Sequence, residues 1–97
     1  MGMKSDMAAT VSLPPVLDIT AAAPLAADLM AARGKDVSVD GSKVEKIGAQ
    51  CIQVLLSAVA TWVNDGMEFE LARPSPVLVE RLGIAGLEPA NFSARNA

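Results

Sequence analysis

Apolar and polar positions change period several times along the chain, and each change predicts an element. The longest helical pattern runs from Ala49 to Asp65. Ile52, Leu55, Leu56, Val59, Trp62 and Val63 recur at i, i+3, i+4 and i+7. Gln50, Gln53, Ser57, Thr61 and Asn64 fall on the opposite side, with Val54 among them, and Gly66 ends the helix. Met67 to Leu71 then alternates strictly, apolar one way and glutamate the other, which predicts a strand with one wet face. Ser75-Pro76 reads as an N-cap followed by proline at the first helical position, opening a short helix with Leu78 and Leu82 that runs to Gly83. Ile84 to Leu87 is expected to pack on the core, and a polar tail with few anchors begins at Pro89.

The first half is less regular. Thr10 to Leu13 alternates weakly and predicts an edge strand, stopped by Pro14-Pro15 because proline cannot donate to a ladder. Val16 to Ile19 predicts a second short strand, paired antiparallel with the first across the prolines. Thr20 reads as the N-cap of a helix reaching about Arg33. Pro24 sits in its first turn, Leu25, Leu29 and Ala32 share a face, and Gly34 stops it. Val37-Ser38-Val39 predicts a buried strand ending at Asp40, and Gly41 to Lys46 a polar loop.

The resulting order is β-β-α-β-α-β-α. Two β-α-β units imply parallel strands joined by right-handed crossovers. The expected fold is therefore α/β, with a mixed four-stranded sheet, an antiparallel edge strand and three to four packed helices. One domain over residues 9–88 is expected, between a flexible leader at 1–8 and a polar C-terminal tail at 89–97.

Composition narrows the chemistry. The 97 residues include no histidine and one cysteine. A zinc site of the common kinds cannot be built, and neither Ser-His-Asp nor Cys-His catalysis is possible without the base. No enzyme, no cofactor and no metal is expected. One cysteine cannot close an internal disulfide, which fits a reducing compartment. The net charge of -3 argues against nucleic acid and against anionic lipid as partners. No continuous apolar run follows Lys4, and Asp6 stands where a myristoylation signal needs Ser or Thr. The stretch Cys51 to Val63 is too short to span a bilayer and is broken by Gln53, Ser57 and Thr61. A cytoplasmic protein is expected.

The run from Val37 to Leu56 resembles the STAS domain of the anti-sigma factor antagonists. That family pattern is a hydrophobic strand, Asp-x-Ser, a hydrophobic residue, an acid-serine-serine or related triplet, and then an apolar helix. Asp40-Gly41-Ser42 and Val44 match it. Gly66 with Phe69 and Leu71, the loop Arg73-Pro74-Ser75-Pro76-Val77, and Leu82-Gly83-Ile84-Ala85-Gly86-Leu87 continue the likeness. The resemblance covers roughly residues 10–88 and implies a STAS-like version of the fold above. It departs at the triplet, where Gly48, Ala49 and Gln50 carry no hydroxyl. With Gln50 at the family's acceptor position, no phosphorylation is expected, and the kinase-controlled switch is absent.

The Gly-Ala-Gln-Cys variant resembles the stand-alone chemotaxis STAS proteins of the CheS type. That resemblance implies an adaptor that binds the histidine kinase CheA and helps drain phosphate from a phosphorylated response regulator. STAS proteins meet partners through this loop and helix start, which implies contacts from Ser42, Lys43, Glu45, Lys46, Gly48, Ala49, Gln50, Gln53, Val54 and Ser57. Alternative readings are an anti-sigma factor antagonist and the STAS subunit of a lipid-transport ATPase complex. The remaining candidates have plainer explanations. Asp40 positions the loop, Glu68 and Glu70 are a wet strand face, Cys51 is a packed thiol, Trp62 is core and Ser75 is a cap.

Overall fold

The computed structural model describes residues 9–94. Its elements are β1 (Ala9–Ser12), β2 (Val16–Leu17), α1 (Ala22–Ala31), β3 (Val37–Asp40), β4 (Lys46–Ile47), α2 (Ala49–Asp65), β5 (Phe69–Ala72) and α3 (Pro76–Ile84), with 3-10 turns at Ile19–Ala21 and Pro89–Phe92. The expected leader at 1–8 lies outside the described residues, as do positions 95–97.

β1, β3 and β5 form a three-stranded sheet in the order β1-β3-β5, with both ladders parallel. This corrects the expected four-stranded sheet with an antiparallel edge. β1 and β2 do not pair. Instead β2 forms a separate two-stranded parallel ladder with β4. The cause lies in Pro14-Pro15. A two-residue hairpin turn wants positive φ, whereas proline fixes φ near about -65° and extends the residue before it. The chain therefore runs on through the prolines. The Pro15 carbonyl accepts hydrogen bonds from the amides of Glu45 and Lys46, at 2.7 and 3.0 Å. Part of the expected polar loop is thus drawn into β4.

Helix boundaries follow local chemistry. Asp18, not Thr20, opens the first helical segment, because its carboxylate accepts from the Thr20 amide at 3.0 Å and the Thr20 hydroxyl at 2.6 Å. α2 spans the predicted residues, and Gly66 closes it at φ 71, a left-handed conformation that suits glycine. Ser75 caps α3, its Oγ accepting from the Leu78 amide at 3.1 Å.

The core gathers Leu25 and Leu29 of α1, Ile52, Leu55, Ala58 and Trp62 of α2, Val37, Val39, Phe69 and Leu71 of the sheet, and Leu78 and Leu82 of α3. Fully burying a large apolar side chain contributes roughly 1.5–3 kcal/mol. Trp62 meets Phe69 edge to face, with centroids 5.7 Å apart, and its indole N–H donates to the Lys35 carbonyl at 2.7 Å. Two expected core positions turn outward: Val63 is 60% exposed and Ile84 is 73% exposed. Conversely, the segment expected to be a polar tail returns to the sheet. Phe92 is 0% exposed, and Ala94 makes an antiparallel bridge to Phe69. One aromatic anchor outweighs the polar residues around it.

Candidate functional site

The loop after β3 is tied down before it presents anything. Gly41 lies against α3, and a Cβ there would stand 2.7 Å from Leu78 Cδ2, so only glycine fits without a shift. Its amide donates to the Ala72 carbonyl at 2.9 Å, and its carbonyl accepts from the Ser75 amide at 3.0 Å. The Asp40 carboxylate accepts from the Ser42 amide at 2.9 Å and pairs through its other oxygen with Arg73. The Ser42 amide, with Arg73 beside it, holds the Asp40 carboxyl well below the usual carboxylate range. Arg73 adopts φ 49, a left-handed conformation uncommon for a residue other than glycine. The Ser75 hydroxyl donates to the Val44 carbonyl at 2.7 Å, and the Val44 side chain is buried. Asp40 is thus the loop-positioning residue expected from the sequence.

Backbone anchoring leaves the other side chains facing water. Ser42, Lys43, Glu45 and Lys46 are all exposed. β4 then delivers the chain to α2. Gly48 is its N-cap, with no side-chain hydrogen bond, and its amide donates to the Leu17 carbonyl at 2.9 Å. Ala49 and Gln50 are exposed at this opening, and Gly48 is half-buried. Gln50, Gln53, Val54 and Ser57 follow at i, i+3, i+4 and i+7 and so share one stripe of the helix. The candidate residues therefore form one path from the loop into the third turn of α2.

Val54 departs from its expected place. It is half-buried and lines a groove of about 240 Å³ between α1 and α2. Leu29, Ala58 and Trp62 are the buried residues of that groove, while Gln53 and Ser57 border it. The groove was not legible in the sequence, since it depends on the crossing of two helices. Small residues facing each other, Ala26 on α1 and Ala58 on α2, are the signal that could have suggested it.

The other side chains singled out from the sequence behave as structure. Cys51 is wholly buried and its thiol donates to the Asp18 carbonyl at 3.4 Å. Burial, with the Asp18 charge, pushes that thiol up, away from the reactive thiolate. Glu68, just before β5, and Glu70 within it are both exposed. Among the described residues, no group of three or more His, Cys, Asp and Glu could hold a metal ion. No described helix is long and apolar enough to cross a membrane.

A parallel sheet with crossover helices, an Asp-Gly-Ser loop and a long apolar helix after it define a STAS-type domain. The family model described as "Mlab, STAS domain" matches residues 3–89, and the chain belongs to that family. No curated protein and no solved structure matches it.

Proposed function

We propose that this STAS domain is a noncatalytic adaptor that docks on a histidine kinase of the CheA class. The docking surface is the loop at 42–46 together with the opening and exposed stripe of α2. The observation that carries this reading is the chemistry of that opening. Gly48, Ala49 and Gln50 offer a small, uncharged surface with no hydroxyl to phosphorylate. Such a surface suits a permanent contact, because no added charge exists to release it.

The partner is drawn from the resemblance to chemotaxis proteins of the CheS type, carried by Gly48-Ala49-Gln50-Cys51. A cytoplasmic location goes with that partner. A noncatalytic role is supported by the absence of histidine from the sequence. The bound domain adds to, or reshapes, the kinase surface that holds the response regulator. Tighter holding of the phosphorylated regulator speeds phosphate loss by back-transfer to the kinase. Coupling of this kind is reciprocal, so phosphorylated regulator also tightens adaptor binding.

The test is a titration of the purified kinase with wild type and with Gln50→Arg. Wild type should bind, and the variant should bind at least about tenfold more weakly, a loss of about 1.4 kcal/mol, with an unchanged melting temperature. Failure of wild type to bind overturns the partner, and equal binding of the two overturns the surface. Co-purification with a membrane ATPase would favour a lipid-transport subunit instead. A phosphate found on Ser42 in cells would favour an anti-sigma factor antagonist.

A further inference from the structure

The sheet order β1-β3-β5 makes β5 an edge strand. The amides of Val37 and Gly41 donate to the carbonyls of Glu68 and Ala72, so this set of β5 peptide groups faces β3. Phe69 and Leu71 therefore turn their own amides and carbonyls outward. Only Phe69 finds partners there among the described residues. Its amide donates to the Ala94 carbonyl at 2.9 Å, and its carbonyl accepts from the Ala94 amide at 2.8 Å.

The segment that supplies this cover is set apart from the domain in two ways. All of it but Pro89 lies beyond residue 89, where the family match stops. It is also held at only two points. Phe92 and Ala94 are its buried residues, while Ala90, Asn91 and Ser93 are exposed. Its turn is closed on itself, the Glu88 amide donating to the Asn91 side chain at 2.8 Å.

The occupant suited to this edge is set by charge. Glu68 and Glu70 stand exposed on either side of Phe69. A second copy of β5 would bring like charges together across the ladder, which is unfavourable. An extended segment with basic residues at alternate positions would place its cations over these glutamates. We propose that the outer edge of β5 is an acceptor site for an extended basic strand, and that residues 89–94 are its resting, self-supplied occupant. This site is distinct from the α2 surface and does not depend on the identity of the kinase.

The probe is a short blocked peptide alternating lysine with valine, compared with its glutamate-valine counterpart. Ala94→Pro removes the amide that bonds to Phe69, and Asn91→Ala, milder and exposed, unties the turn if the proline variant fails to fold. The readouts are amide hydrogen exchange at Phe69 and Leu71 and the fluorescence of Trp62, which touches Phe69. In the loosened variant the Phe69 amide should exchange faster, and the lysine peptide should bind about tenfold more tightly than to wild type while protecting Leu71. Glu70→Lys should abolish that binding, and the glutamate peptide should not bind. Equal affinity for wild type and loosened variant, or protection confined to other strands, overturns the proposal. Concentration-dependent self-association of the loosened variant in place of peptide binding overturns the choice of occupant.

Discussion

Two short polar segments of this protein are ordered by opposite means. The loop from Gly41 to Glu45 is tied by its backbone: amides and carbonyls of Gly41, Ser42, Val44 and Glu45 bond to Asp40, Ala72, Ser75 and Pro15. Its exposed side chains are thereby left for other work. The segment from Pro89 to Ala94 is held chiefly by a plug, Phe92, and by one pair of strand bonds at Ala94. Polar ties fix a conformation while leaving a surface free. An apolar plug fixes a position but leaves its neighbours loosely held. The first arrangement suits a pre-formed docking platform, since little ordering entropy remains to be lost on binding. The second suits a cover whose end at Ala94 can be exchanged while Phe92 keeps the segment anchored.

Phe92→Ala gives the largest expected effect, because it empties a fully buried aromatic site between α2 and β5. A loss of about 3–5 kcal/mol in urea unfolding is expected. A loss below about 1 kcal/mol would show that the segment adds little to the fold, and the contrast between plug and ties would collapse. Ser75→Ala comes next. It removes the α3 cap and leaves the buried Val44 carbonyl without its donor. A cost of about 1–3 kcal/mol is expected, with faster amide exchange at Ser42 and Val44. An unaltered exchange pattern in the loop would mean the ties are redundant.

The two segments were not equally legible in the sequence. α2 was read to its last residue because many turns repeat one apolar period, and its polar stripe marked Gln50, Gln53 and Ser57 at once. Asp40 and Ser75 were legible because capping chemistry is local. Phe92 was not, since a single anchor creates no period and Pro89 and Asn91 around it read as tail. β4 was missed because two residues cannot show alternation. The absence of β1–β2 pairing was not legible from proximity in sequence, which favours a hairpin, because the reason lies in the tight-turn geometry that Pro14-Pro15 cannot adopt. The Val54 groove depended on which helices cross, information no single segment carries.

Asp40→Asn gives a smaller and pH-dependent effect. The side-chain oxygen that accepts from Ser42 is kept, while the charge facing Arg73 is lost. At neutral pH the change is small, because the Arg73 guanidinium is largely exposed. The folded protein depresses the Asp40 carboxyl below its ordinary 3.8, so the unfolded chain takes up the proton first as pH falls. Stability from this group is therefore complete above the ordinary value and is lost below it. Urea midpoints measured across the acid range should fall less steeply for the variant than for wild type. Parallel acid limbs would mean the Asp40 charge contributes nothing to the platform.

The smallest expected change in stability separates platform from core most sharply. Gln50 is exposed at the opening of α2. Gln50→Arg should leave the melting temperature within about 1 °C of wild type, since surface changes of this kind are usually worth less than about 0.5 kcal/mol. Val54→Asp, four residues after Gln50 on the same stripe, is not an equivalent probe. Val54 is half-buried in the groove, and a carboxylate there loses hydration next to Leu29 and Trp62. It should lower the melting temperature visibly while Gln50→Arg does not. If both variants weaken kinase binding, only the Gln50 result reports on the surface itself. If Gln50→Arg also destabilises the fold, the opening of α2 is part of the packed structure, and the loop's ties then serve stability rather than docking.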